Sequence, residues 1–187
     1  MGRGAVLLAP FEREKGNLQT VLLQPSPIHG TGVFAAVDFK EGDLILEVDD
    51  SRLVTDEHPL AEGEHEYHCD WYADGRMVLL AEPARHVNHC CDPNSIVTFF
   101  DGIRYDVARR DIRTGEEITH DYCIDGSGDT VWQCNCGSES CRKTIHADFF
   151  HLPRSQQIGY LPYLSDLYKR VHKEKVEELM REEERYS

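Results

Sequence analysis

The sequence predicts a mainly β domain of small sheets with a few short helices. Short β-like runs recur along most of the chain, most of them bounded by Gly, Pro, Asp or Asn, and strand–helix alternation of the kind that builds a parallel sheet is missing. Runs at 18–23 and 32–37 flank Gly30-Thr31-Gly32, a glycine-rich turn signal, and a further run covers 44–48. Asp74-Gly75 closes a hairpin between 67–72 and 77–80. Asp101-Gly102, a strong hairpin signal, joins 96–100 to 103–108, and the last run lies at 117–119. From Pro162 onward Leu164, Leu167, Tyr168, Val171, Val176 and Leu179 recur at helical intervals among alternating charges, which predicts one amphipathic helix docked on the body. Recruitment of a partner or a second copy is the alternative use of that helix.

A chain of 187 residues with 40% hydrophobic residues and no low-complexity tract fits one globular domain with its own core. No apolar run approaches the roughly 20 residues of a membrane span, and Gly2 is not followed by the Ser or Thr of a myristoylation signal. A soluble intracellular protein is expected, in cytoplasm or nucleus. Seven cysteines are an odd number in a chain long enough to fold without disulfides, so clustered reduced thiols point to metal. The net charge of −14 is uneven: residues 38–74 hold thirteen acids against Lys40 and Arg52, a net −11. Such a field repels nucleic acid and attracts basic partners, the plain alternative being a solvated acidic surface.

Cys134-Asn135-Cys136 and, four residues on, Cys141 present three thiolates in a short loop, and tetrahedral zinc takes a fourth ligand, to come from Cys90 or Cys91. A site with no open position is structural rather than catalytic. By itself Gly30-Thr31-Gly32 is a turn. It lacks the third glycine and following helix of a dinucleotide fingerprint.

Taken together, Gly30-Thr31-Gly32, then Arg85-His86-Val87-Asn88-His89-Cys90-Cys91-Asp92-Pro93-Asn94, then Gly115-Glu116-Glu117-Ile118-Thr119-His120-Asp121-Tyr122, then the cysteine loop, resemble SET-domain protein-lysine methyltransferases with a post-SET zinc segment. Order and spacing both agree over about residues 20–146. The resemblance implies an N-terminal extension (1–19), a SET domain (20–124) with a pseudoknot-like threaded segment, a post-SET segment (125–146) and a C-terminal extension with the helix (147–187). It implies S-adenosyl-L-methionine as methyl donor, bound around His29, Gly30, Thr31, Gly32 and Val33 and by Asn88 and His89, with Arg85 nearby. Tyr67 is similar to a family tyrosine that touches the donor, and Trp132 and Ile145 flank the zinc loop, placed to cover the adenine. It selects Cys91, with Cys134, Cys136 and Cys141, as ligands of one structural zinc ion, Cys90 standing where the family usually has serine. It makes Tyr122 the catalytic tyrosine, orienting amine and sulfonium methyl rather than acting as a strong base.

Two departures stand out. His120, two before the catalytic tyrosine, replaces the usual Phe or Tyr; a histidine there is expected to restrain the amine or a channel water and to favour low methylation states. Glu47-Val48-Asp49-Asp50 stands where the family often has Tyr-x-Gly, so another aromatic such as Tyr72 or Phe100 must line the channel, or activity is weak. The expected function is methylation of a lysine in a basic protein or tail, histone-like or ribosomal, without direct nucleic-acid or membrane binding. A catalytically weak SET-like module that binds basic peptides is the alternative, and a zinc-stabilised interaction domain the third.

Overall fold

The computed structural model describes residues 20–186. In chain order the strands are β1 Val21–Pro25, β2 Thr31–Ala35, β3 Leu44–Glu47, β4 Arg52–Val54, β5 Cys69–Trp71, β6 Met77–Leu79, β7 Asn88–His89, β8 Ser95–Phe100, β9 Ile103–Ala108, β10 Glu117–His120, β11 Val131–Gln133 and β12 Thr144–His146. They form four small sheets, in the orders β1-β2-β10-β7, β3-β9-β8, β4-β6-β5 and β11-β12. Three helices close the chain: α1 Arg154–Tyr160, α2 Asp166–Val171 and α3 Lys173–Tyr186. None of them is long and apolar enough to cross a membrane.

Both expected hairpins are present. Asp101 and Gly102 take positive φ values of 49° and 80°, so Phe100 pairs with Ile103 across a tight turn. Gly75, at φ 86°, turns the chain between Trp71 and Met77, which pair as the last residues of β5 and the first of β6. The run at 67–72 opens with a 3-10 turn over Glu66–His68 and becomes a strand only at Cys69. β4, β7, β11 and β12 are strands of two or three residues, too short to produce an alternation that a sequence shows. One pairing is parallel, β10 with β7, which sets Asn88 beside Thr119 and His89 beside His120. It arises without a crossover helix, from segments distant in sequence, so strand–helix alternation could not announce it.

The single C-terminal helix expected from Pro162 onward is instead a 3-10 turn at Leu161–Tyr163 followed by α2 and α3. Apolar spacing is blind to capping. The Ser165 hydroxyl accepts the Tyr168 N–H and so starts a new helix inside the periodic run, and the backbone departs from helical angles at His172. α1 escapes a periodicity reading because its buried face includes Gln157, whose amide donates to the Phe150 and Leu152 carbonyls.

Two apolar cores result. One lies under β1, β2, β3 and β10 and contains Val33, Phe39, Ile45, Val87 and Ile118. The other joins Cys91, Cys134 and Ile145 to Phe149, Tyr168 and Leu179, so the cysteine loop and the C-terminal helices share one interior. Docking of the helical end on the body is what α3 shows: Val176 and Leu179 are buried, and Val171 and Met180 are the large apolar residues left exposed there.

Candidate functional site

Three of the motif segments meet at Asn88. Its side-chain amide reaches the carbonyls of His29 at 3.1 Å and Thr31 at 3.2 Å and the Glu117 carboxylate at 2.8 Å. That carboxylate also accepts from the Ser26 hydroxyl, at 2.7 and 2.9 Å. Gly32 is needed for space rather than for a turn. A Cβ there would stand 2.3 Å from Glu117 Oε1, so a larger residue would push away the group that holds Asn88.

His89 and Tyr122 lie behind this junction. The Tyr122 N–H donates to His89 Nδ1 at 3.2 Å, and the Tyr122 hydroxyl donates to the Val87 carbonyl at 2.8 Å. Burial pushes His89 down to about 4, against the pull of Asp121, so the ring is neutral at neutral pH. With Nδ1 accepting, its proton sits on Nε2, 3.5 Å from Cys91 Sγ. Burial, with the charges of Asp70, Asp106 and Glu117, raises the Tyr122 hydroxyl well above its usual value, although 43% of the residue is exposed along the ring. Trp132 packs on both rings, with centroids 5.6 Å from His89 and 6.1 Å from Tyr122.

A cavity of about 960 Å³ opens at Tyr122 and Trp132 and is lined also by Val87, Tyr67 and Arg85. The same lining holds six aspartates, among them Asp50, Asp70, Asp106 and Asp125, against Arg76, Arg85, Arg104, Lys169 and Arg170, and it carries Tyr72 and His120. Arg104 is the buried cation that organises it, 2.5 Å from Asp70 and 3.6 Å from Asp50, with its guanidinium 5.5 Å from the Tyr72 ring centre. Tyr72 donates a short hydrogen bond to Asp50, and burial pushes its hydroxyl up to about 12.

The sulfurs of Cys91, Cys134, Cys136 and Cys141 all lie within 4.8 Å of one another, and Cys91 and Cys134 are 3.8 Å apart. Sulfurs bound tetrahedrally at about 2.3 Å from zinc are separated by about 3.8 Å, so the donor set and its spacing fit that ion. Burial alone would raise the Cys136 thiol, but donation from the Cys91 and Ser138 backbone and the Ser138 and Cys134 side chains outweighs it and brings Cys136 to about 6. Cys90 bonds instead to the Asp92 carbonyl.

A family profile described as SET domain matches residues 30–123, half of the chain. The chain belongs to the SET-domain family. Over 133 residues, 65% of its length, it is 30% identical to the histone-lysine N-methyltransferase trithorax of Drosophila melanogaster. Over 150 residues, 72% of its length, it is 29% identical to the H3 lysine-4 specific histone-lysine N-methyltransferase of Schizosaccharomyces pombe. It spans only 4% and 16% of those two relatives. Among solved structures, the methyltransferase domain of human histone-lysine N-methyltransferase SETMAR shares the fold, with a TM-score of 0.53 at 18% identity over 70% of this chain and 60% of that one.

Within this SET domain the structure draws together most of the residues singled out from sequence. Asn88 reaches the His29–Thr31 loop, His89 touches Tyr122, and the four cysteines converge. Arg85 is tied to Glu82 by a short ion pair at the cavity wall. Tyr67 stands apart: it is 72% exposed, and its ring stacks on His65 and meets His68 edge-on. Val48 is buried and lines the cavity together with Tyr72; Phe100 is outside the cavity lining, where Phe99 is found.

Sequence reasoning passed over Glu117, Asp106, Asp121 and Arg142. The fully buried Asp121 carboxylate accepts from Arg142 at 2.8 Å and lies 3.5 Å from His89 Nδ1 and from the Tyr160 hydroxyl. Arg142 also donates to Gln156 of α1 at 3.1 Å, and its backbone N–H points at Cys91 Sγ. Removing one partner of a buried ion pair strands the other charge at a cost of about 3–5 kcal/mol. Arg142→Met is therefore expected to lower unfolding free energy by about 3 kcal/mol or more, read from urea denaturation, and a loss below about 1 kcal/mol would refute the bridging role.

Proposed function

We propose that the protein is an S-adenosyl-L-methionine-dependent protein-lysine N-methyltransferase acting on a basic, lysine-bearing protein or tail. The observation that carries this reading is the pair of oxygens from Tyr122 and Val87, 2.8 Å apart in the wall of the cavity, next in the chain to Asn88 and His89. With its proton given to the Val87 carbonyl, the Tyr122 hydroxyl turns its lone pairs outward, and two such oxygens suit the polarised C–H groups of a sulfonium methyl. The raised Tyr122 keeps that hydroxyl neutral, a positioning dipole rather than a base. Asn88, His89 and the 29–33 segment hold the donor, with Arg85, Tyr67 and Trp132 along the cavity wall. Cys91, Cys134, Cys136 and Cys141 hold zinc, which supplies a structural tie and no reaction chemistry.

Six aspartates against five cationic side chains leave the cavity lining slightly acidic, and the net −11 of residues 38–74 adds to it, so a basic peptide is the complement. The histone-lysine names of the relatives agree with such a substrate. The decisive assay is transfer of radiolabelled methyl to a panel of basic proteins including core histones. KM is expected to rise several-fold as ionic strength goes from about 0.05 to about 0.3 M, because screening shortens the reach of the acidic walls; a flat response would contradict electrostatic steering. The presence of Tyr72 in the cavity lining beside Val48 supports the transferase reading over the binding-module one.

A further inference from the structure

The carboxylates in the cavity lining, Asp106 and Asp125 among them, set a problem for the chemistry. Nearby carboxylates hold an ammonium in its protonated form, whereas attack on a methyl carbon needs the neutral amine. A free lysine, with its pKa of about 10.4, is neutral in only about one molecule in ~10³ near neutral pH. The charges that draw the substrate in therefore oppose its activation, and the channel needs an acceptor for the proton.

Strand β10 ends on one. His120 Nδ1 lies 3.1 Å from Asp106 Oδ1, on a carboxylate 1% exposed, while the His120 side chain is 18% exposed and lines the cavity. Ser95 Oγ sits 3.1 Å from the same Asp106 oxygen, and Oδ2 of Asp106 has no hydrogen-bond partner among the described residues. A carboxylate facing Nδ1 fixes the ring proton there and leaves the Nε2 lone pair available. The His120 ring centre is 5.2 Å from that of Tyr122, next to the proposed methyl position.

We infer that His120 is the proton acceptor of the reaction and that Asp106 is the positioning residue that fixes its tautomer and balances its charge, a His–Asp dyad built into the lysine channel. The inference rests on the transferase reading above. An N–H bond of the substrate ammonium breaks and its proton bonds to His120 Nε2. The electron pair left on nitrogen forms the N–C bond to the donor methyl, the C–S bond breaks, and its electrons stay on sulfur as a neutral thioether. The imidazolium, paired with Asp106, then gives its proton to water in the cavity. The ionisable groups around His120 are Asp106 on β9, His89 on β7, its chain neighbours Asp121 and Tyr122, and, around the cavity, Asp50, Asp70, Asp125 and Asp166 with Arg76, Arg85, Arg104, Lys169 and Arg170. Arg104 is committed to Asp50 and Asp70, Tyr122 is held neutral, and imidazole is the side chain suited to exchanging a proton near neutrality.

The test is the pH profile of kcat for methyl transfer to core histones by the full chain, its His120→Phe variant and its Asp106→Asn variant, with donor affinity measured by calorimetry as a check on folding. The wild type should show a kcat that rises with pH along a limb that depends on His120. His120→Phe should lose that limb, fall by about 10²–10⁴-fold at about pH 7.5 and recover towards about pH 10, where lysine sheds its own proton. Asp106→Asn should displace the limb with a smaller loss; if this buried variant does not fold, His120→Phe alone decides. A His120→Phe enzyme with an unchanged profile and a rate within about threefold of wild type overturns the dyad and leaves the transferase reading standing. A wild type that binds the donor but transfers no methyl at any pH overturns both.

Discussion

Cys91→Ser is expected to loosen the C-terminal third of the protein and the donor pocket in one step. Cys91 belongs both to the four-sulfur cluster and to the core that holds Phe149, Tyr168 and Leu179, and it stands two residues from His89. Structural zinc contributes about 10–16 kcal/mol in small sites, against a total stability of about 5–15 kcal/mol for an ordinary domain. Loss of a ligand should abolish stoichiometric zinc in elemental analysis and strip hydrogen-exchange protection from residues around Ile145 and Leu179. Protection around Val33 and Ile118, in the other core, should fall less. Zinc content and exchange that match the wild type would refute the assignment. Chelation of the wild type should reproduce the same pattern.

Tyr122→Phe is expected to reduce kcat by about 10²–10³-fold, the scale of one preorganised polar group lost from a reaction centre. The variant removes only the oxygen that donates to Val87 and keeps the ring that packs on His89, His120 and Trp132. Donor affinity should stay within about twofold, which separates a role in the transition state from one in binding. Single-turnover methyl transfer checks the first quantity and calorimetry the second. A variant that turns over at the wild-type rate would remove Tyr122 from the chemistry.

The parts of the fold written in local chemistry were legible: Asp101-Gly102 and Asp74-Gly75 make turns wherever they stand, and the motif segments carry their own spacing. What was hidden depends on partners far away in the chain. Glu117 matters because it meets Ser26 and Asn88 at once, and Gly32 is demanded by that carboxylate and not by its own φ. Asp121 is a buried charge whose cation, Arg142, arrives 21 residues later beside Cys141. Nothing near Asp121 marks which arginine will cover it. The same holds for Asp106, opposite His120 only because β9 and β10 converge on one cavity. The helical end misled for a different cause: apolar spacing survived across Ser165 while the cap beneath it began a new helix.

The shared interior of the cysteine loop and the last helix also dictates a timetable. The SET-domain match stops at residue 123, yet Cys91 and Cys123 find their apolar neighbours only when Phe149, Tyr168 and Leu179 exist to meet them. A nascent chain that has just completed Tyr122 therefore lacks Trp132, which packs on that ring, and the helices that complete the second core. Synthesis must run past Leu179 before that core can close, so the surroundings of Cys91 and Cys123 are completed well after the family-matched segment, and chaperones have exposed apolar surface to guard until then.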